Sequence, residues 1–281
     1  MLLGILAVIS VLSAVGICFV ADAFSSLWWL LWLPVSGLGV FLGLAALAFL
    51  LLCAMTLAVD LKKPQLHDSK FYRTMAHLYI DAVIKVCRIR IHATGLEKTP
   101  GDGRFLLVCN HRHDSDPIVL LTAFRNSQLA FISKRENSSM PFVGKFMHKL
   151  MCQPINREND REALKTILEC IRLLKEDEVS VAVFPEGYIH DDRLLHPFRP
   201  GVFKIAQRTK VPIAVCTLRN TTTVFSNMAH LKPSDVELRR LTVIQPEEYE
   251  GITTVELANR IYGMMADDLG PELVYHAAEN T

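Results

Sequence analysis

Residues 1–60 carry only two charged side chains, Asp22 and Asp60, and no lysine, arginine or glutamate. All 30 lysines and arginines of the 281-residue chain lie beyond them. A stretch so poor in charge has nothing with which to face water on all sides, so it must fold into an apolar solvent. Residues 1–20 are an uncharged run with Leu, Ile and Val throughout. As a helix rising about 1.5 Å per residue it reaches roughly 30 Å, the thickness of a bilayer's hydrocarbon core. A short polar interruption follows around Asp22, Ser25 and Ser26. Residues 27–59 form a second apolar run, opening on Trp28, Trp29 and Trp32, side chains that suit a membrane interface. Pro34, Gly37 and Gly39 are expected to break or kink it and to leave a useful span near 35–59. A secretory signal is the competing reading; it lacks its positive n-region here, and a second, longer apolar run follows at once. The sequence predicts a membrane-inserted helical hairpin over 1–60. Lys62, Lys63, Lys70 and Arg73 come directly after it. The positive-inside rule then places that side, and the rest of the chain, in the cytosol.

Residues 61–281 read as an ordinary globular domain. They hold charges of both signs, the whole chain nets only +1, and 51% of its residues are hydrophobic. Such a composition excludes disorder. Seven scattered cysteines, odd in number and without a C-x-x-C pair, argue against a disulfide framework or a structural zinc site and for a reducing compartment. Residues 66–87 read as a helix, with Phe71, Met75, Leu78 and Ala82 at helical spacing and Lys70, Arg73 and Lys85 available to a membrane surface. Short apolar runs at 88–93, 105–109, 129–133, 179–184, 213–218 and 241–244 predict strands. Helical periods at 158–175, 198–209 and 254–269 lie among them. In the first, Leu164, Ile167, Leu168, Ile171 and Leu174 form one stripe. Strands alternating with helices predict an α/β layered domain with a central mixed sheet flanked by helices.

Motifs for serine hydrolases, dinucleotides, nucleoside triphosphates and zinc proteases are absent. What stands out is Asn110-His111-Arg112-His113-Asp114-Ser115-Asp116, between an apolar strand and an apolar helix. An imidazole with a carboxylate on its second nitrogen is a general base near neutral pH. From spacing alone a second reading stands beside it, in which Asp114, Ser115 or Asp116 merely caps the next helix. His111 and His113 as metal ligands lack a third partner. Phe184-Pro185-Glu186-Gly187-Tyr188 also follows a strand, and reads either as a close backbone approach to a ligand or as a plain turn. Arg157 follows Pro154-Ile155-Asn156, and an arginine there can grip a phosphate with two parallel bonds. Six cations (Arg125, Lys134, Arg135, Lys145, Lys149, Arg157) face one acid, Glu136, between Pro117 and Arg157. The same stretch contains an apolar segment, Met140 to Met147. Basic and apolar character beside an anchor predicts anionic lipid as partner, not nucleic acid.

Taken together and in order, these clusters resemble the 1-acyl-glycerol-3-phosphate acyltransferase family of glycerolipid acyltransferases. The likeness runs from about Arg88 to Gly251, and the ordered set of motifs is specific where a lone H-x-x-x-x-D is weak. Asn110-His111 through Asp116 resembles the family's N-H-x-x-x-x-D block, Pro154 to Arg157 its second block, Phe184 to Gly187 its F-P-E-G block and Val211-Pro212-Ile213 its fourth. The resemblance implies an acyltransferase-type domain behind the hairpin. It implies transfer of an acyl group from acyl-CoA or acyl-ACP to the sn-2 hydroxyl of 1-acyl-glycerol-3-phosphate, giving phosphatidic acid in phospholipid biosynthesis. His111 and Asp116 would be catalytic; Arg157, Pro185, Glu186 and Gly187 would hold the lysophosphatidic acid; no metal or bound cofactor is implied. One departure is clear: Tyr188-Ile189 stand where the family often has Thr or Ser and then Arg. Lys134, Arg135 and Lys204 are the expected sources of the missing positive charge. The alternatives are another lysolipid or an amino-acid-derived lipid as acceptor, or a non-catalytic membrane scaffold.

Overall fold

A computed structural model describes residues 1–96 and 103–276. The chain divides into two compact units, Met1–Pro64 and Gln65–Thr281.

In the first unit, α1 (Leu2–Val20) and α2 (Trp29–Leu57) are both long and apolar enough to cross a membrane. The buried residues of α1 are Leu6, Ser10, Ala14 and Cys18, one every fourth position. Mostly small side chains on that stripe let two backbones approach closely. A Cβ built on Gly37 of α2 would sit 3.5 Å from that of Ala14. The expected break at Pro34 does not occur, since α2 runs through it. Proline removes one helical hydrogen bond, and in an apolar segment the remaining bonds hold the helix because no water competes for them.

The second unit opens with α3 (Lys70–Val86) and β1 (Ile89–Thr94). Then come β2 (Leu106–Cys109), α4 (Asp116–Ala123), β3 (Leu129–Lys134), α5 (Val143–Lys149) and β4 (Gln153–Ile155). They are followed by α6 (Asp160–Lys175), β5 (Ser180–Val183), α7 (Lys204–Thr209), β6 (Ile213–Arg219) and α8 (Val224–Ala229). β7 (Ser234–Ile244), α9 (Pro246–Tyr249) and α10 (Thr254–Leu269) complete it. The strands form one seven-stranded sheet in the order β1-β7-β6-β2-β5-β3-β4. Every pair is parallel except β6 with β7, so the sheet is mixed. β2 is a continuous apolar run, and β5 and β6 are mostly apolar, because both faces are covered. Leu106, Val108, Val181 and Val183 point into a core completed by α6, α7 and α10. Phe105, Leu107, Cys109 and Ala182 point into a second core completed by α4 and Val224 of α8.

The structure corrects four expectations. A short strand, β4, precedes Arg157, and β7 begins at Ser234 rather than at 241. The buried face of α6 is Ile167, Cys170, Leu173 and Leu174, while Leu164 and Leu168 are exposed. The buried face is thus turned from the expected stripe toward Cys170 and Leu173, leaving Leu164 and Leu168 outside the arc the sheet covers. In α3 the buried residues are Arg73, Ala76 and His77, and Phe71 is exposed. Arg73 is therefore not a membrane-surface cation. Its guanidinium pairs with Asp68 at 2.7 Å and donates to the carbonyls of Leu129 and Leu150. All seven cysteines are free thiols.

Candidate active site

Five parallel strands bring their C-terminal ends to one edge of the sheet, where α/β domains gather functional loops. The chain leaves β2 under tight control. The Asn110 side chain donates to the carbonyl of Leu218 at 3.0 Å and accepts from its N–H at 2.7 Å, which extends the pairing with β6 by one side chain. His111 follows, and its Nδ1 lies 2.9 Å from Asp116 Oδ2. The same oxygen accepts the main-chain N–H groups of Arg112 at 2.7 Å and His113 at 2.9 Å. An oxygen that accepts both main-chain N–H groups presents a lone pair to the ring, so the ring nitrogen facing it carries its proton. Among the described residues His111 Nε2 makes no hydrogen bond, and it is the nitrogen left for a substrate. Asp116 is fully buried and ties back to the loop before it; it does not cap the following helix.

His111 stacks on Phe184, ring centroids 4.0 Å apart and planes 14° apart, and Phe184 stacks in turn on Phe131. These rings line a cavity of about 440 Å³. Its walls are apolar at Ile132, Ile155, Ile167 and Val202 and polar at Lys134, Arg157 and Arg199. Burial, with Arg199 adding to it, pushes the Arg157 guanidinium below its ordinary value. Both guanidinium carbons lie over the Tyr188 ring, 5.2 Å from its centroid for Arg157 and 4.7 Å for Arg199.

No activated nucleophile stands at the cavity among the described residues. Cys109 is buried, and burial raises its thiol well above the usual range. Ser115 Oγ sits 2.8 Å from His113 Nδ1, but both are buried and neither lines the cavity. No group of three His, Cys, Asp or Glu that could hold a metal occurs among the described residues.

Residues 90–219 match the family model described as Acyltransferase. That stretch, just under half of the chain, is similar to the acyltransferase domain. It is 26% identical to a probable 1-acyl-sn-glycerol-3-phosphate acyltransferase of Mycoplasma pneumoniae over 71% of this chain and 76% of the relative. It is 34% identical to a chloroplastic 1-acyl-sn-glycerol-3-phosphate acyltransferase of Brassica napus, over 45% of this chain and only 36% of that longer protein. The fold is that of the crystal structure of the 1-acyl-sn-glycerophosphate acyltransferase PlsC from Thermotoga maritima, with a TM-score of 0.58 at 22% identity, covering 70% of this chain and 78% of that one.

Within the matched residues, His111, Arg157, Pro185 and Gly187 all line the cavity, as does Lys134. Glu186 does not. It is 2% exposed, and its carboxylate accepts the N–H of His111 at 2.7 Å and the N–H of His196 at 2.9 Å. Burial, opposed by those two amides, pushes its pKa up to about 8. The expected ligand contact is thus replaced by a clasp between the loop carrying His111 and the loop before Arg199. Arg135 pairs with Glu162, and neither Arg135 nor Lys204 lines the cavity. The cation that spacing and residue type overlook is Arg199. Its main-chain N–H donates to the Pro185 carbonyl at 2.8 Å, a link between distant positions that no local pattern announces. Gly187 lies at φ +90°, and a Cβ there would come within 2.9 Å of Arg199 Nε.

Proposed function

We propose that this acyltransferase moves an acyl group from acyl-CoA or acyl-ACP to the sn-2 hydroxyl of 1-acyl-glycerol-3-phosphate, forming phosphatidic acid. The observation that carries the reading is the His111–Asp116 pair opening onto a cavity with apolar walls on one side and guanidinium groups on the other. The curated relatives bear that activity in their names. His111 Nε2 takes the proton from the acceptor hydroxyl as its oxygen attacks the thioester carbonyl. The carbon–sulfur bond then breaks, and the imidazolium returns the proton to the departing thiolate. Asp116 holds Nδ1–H and stabilises the imidazolium between those two steps. The oxygen attacks directly, so no covalent acyl-enzyme forms, consistent with the lack of an activated serine or cysteine at the cavity among the described residues.

The apolar walls suit acyl chains, and α1 and α2 suit a bilayer, where lysolipid and product reside. Met140 and Val143 expose apolar surface close to Lys145 and Lys149 in sequence, which suits contact with an anionic lipid surface. By the positive-inside rule Lys62 and Lys63 put the catalytic unit in the cytosol.

The test is the purified full-length chain in detergent, given acyl-CoA or acyl-ACP and a panel of lysolipids. Phosphatidic acid formed from lysophosphatidic acid, and abolished in His111→Ala, is the expected result. Turnover of a zwitterionic or amino-acid-derived acceptor in preference would overturn the acceptor. Absence of transfer with every pair would leave the scaffold reading.

A further inference from the structure

Two arginines share one tyrosine at the polar end of the cavity. Their guanidinium carbons lie 5.2 and 4.7 Å from the centroid of the same ring, so the two charges are no more than about 10 Å apart, roughly one Debye length at 0.1 M salt. Among the described residues neither guanidinium has a carboxylate within salt-bridge distance; the ion pairs nearby are Lys134 with Glu136 and Arg135 with Glu162. A tyrosine face holds each guanidinium by cation–π attraction without neutralising it. Asp114 and Asp160 line the same cavity, and Glu136 acts on Arg157 from a distance, but none reaches either guanidinium as an ion pair, so the two cations still favour an anion between them.

The placement is built by the backbone. Arg199 is tied to Pro185 through its main-chain N–H. Gly187, lacking a side chain, leaves room for the Arg199 stem to pass. Tyr188-Ile189 stand where the family's third block often ends in an arginine, which this chain lacks. We propose that Arg199 replaces that lost cation and, with Arg157, grips a phosphate monoester, while Tyr188 acts as the positioning residue that keeps the two guanidiniums facing the same place. This rests on the reading that the cavity takes a lysolipid head group. A monoester carries close to two negative charges at neutral pH and three free acceptor oxygens, which two forked donors match. A phosphodiester such as a choline or ethanolamine head group carries one charge and has two such oxygens. The clamp therefore selects lysophosphatidic acid against zwitterionic lysolipids.

The experiment uses the full-length chain. Arg199→Ala should raise the KM for lysophosphatidic acid by roughly 10- to 100-fold, the loss of one charge-assisted contact, with the KM for the acyl donor nearly unchanged. Arg199→Lys should restore only part of it, because an ammonium cannot make the forked contact. Tyr188→Leu should raise the same KM, and Tyr188→Phe should recover most of the loss, since the ring face and not the hydroxyl positions the cations. A second readout needs no turnover: calorimetric binding of hexadecyl phosphate without acyl donor should be weakened in Arg199→Ala, and hexadecyl phosphocholine should bind weakly to both proteins. An unchanged lysophosphatidic acid KM in Arg199→Ala overturns the clamp. So does a rise confined to the acyl donor, which would assign the pair to a donor phosphate. If the wild type transfers no acyl group to lysophosphatidic acid, the function proposed above fails, and hexadecyl phosphate binding still decides the clamp by its dependence on Arg199.

Discussion

Replacing Asp116 with asparagine separates charge from geometry at the proposed catalytic pair. Oδ2 receives three donors: His111 Nδ1 at 2.9 Å and the N–H groups of Arg112 and His113 at 2.7 and 2.9 Å. An asparagine that turned its NH2 toward them would set donor against donor three times. The amide oxygen therefore takes the Oδ2 place, and the ring keeps its proton on Nδ1. The NH2 falls at the position of Oδ1, which is buried without a hydrogen-bond partner; stranding it there costs about 1–3 kcal/mol of stability. What the reaction loses is the negative charge beside the imidazolium. Unit charges about 4 Å apart interact by about 4 kcal/mol at an effective dielectric constant near 20, which corresponds to about 10³-fold in rate. A fall in kcat of roughly 10²- to 10³-fold is expected, within the usual range for a positioned base, with both KM values little changed. Asp116→Ala frees the ring and the loop together and should fall to the level of His111→Ala. The assay is the initial rate of phosphatidic acid formation at saturating donor and acceptor, with circular dichroism to confirm folding. Near-normal kcat in Asp116→Asn would show that the charge is dispensable. Equal losses in the Asn and Ala variants would show that the amide does not preserve the geometry.

Two buried ionisable groups set three further outcomes. Glu186→Gln offers one acceptor to two N–H groups, those of His111 and His196, and should cost about 1–3 kcal/mol in denaturant unfolding. Glu186 also sets a pH dependence: with its pKa raised from 4.5 to about 8, the folded state retains a proton that the unfolded chain has released. Its contribution is complete below the unfolded value and lost as pH rises toward 8, at a slope approaching about 1.4 kcal/mol per pH unit. The variant should lack that slope; parallel stability curves for the two proteins across this window would contradict it. Arg73→Ala strands Asp68 in a pair whose side chains are only 7% and 5% exposed, so a loss of about 3–5 kcal/mol is expected, visible as a lower Tm. An unchanged Tm with weaker binding to anionic vesicles would restore Arg73 to the membrane surface.

The parts legible in the sequence were those whose physics is local. β2, β5 and β6 announce themselves as mostly apolar runs because both faces are covered. The charge desert of residues 1–60 requires two long helices regardless of the domain attached to them. β4 is three residues long with Pro154 in its middle, too short for any periodicity to register. The start of β7 hides in alternation: Val236 and Leu238 are buried while Asp235, Glu237 and Arg239 face outward, a period-two pattern easily passed over for the solid run after it. At the site, His111 and Asp116 are five positions apart on one loop, so spacing finds them. Glu186 and Arg199 have roles set by long-range main-chain partners, and residue type alone assigns the first to a ligand and overlooks the second.

The Glu186 clasp also limits how such an acyltransferase could be redesigned. The proposed base comes from the loop after β2, and the proposed head-group cations come from the segments after β4 and β5, so changing the acceptor looks like a matter of exchanging cassettes. Glu186 belongs to the cassette after β5, yet its carboxylate fastens the backbone of His111. Grafting a foreign loop there without an inward carboxylate would loosen the base along with the specificity. A chimera that keeps Phe184 to Gly187 and varies only the residues from Tyr188 onward leaves the fastening in place and exchanges the acceptor contacts alone.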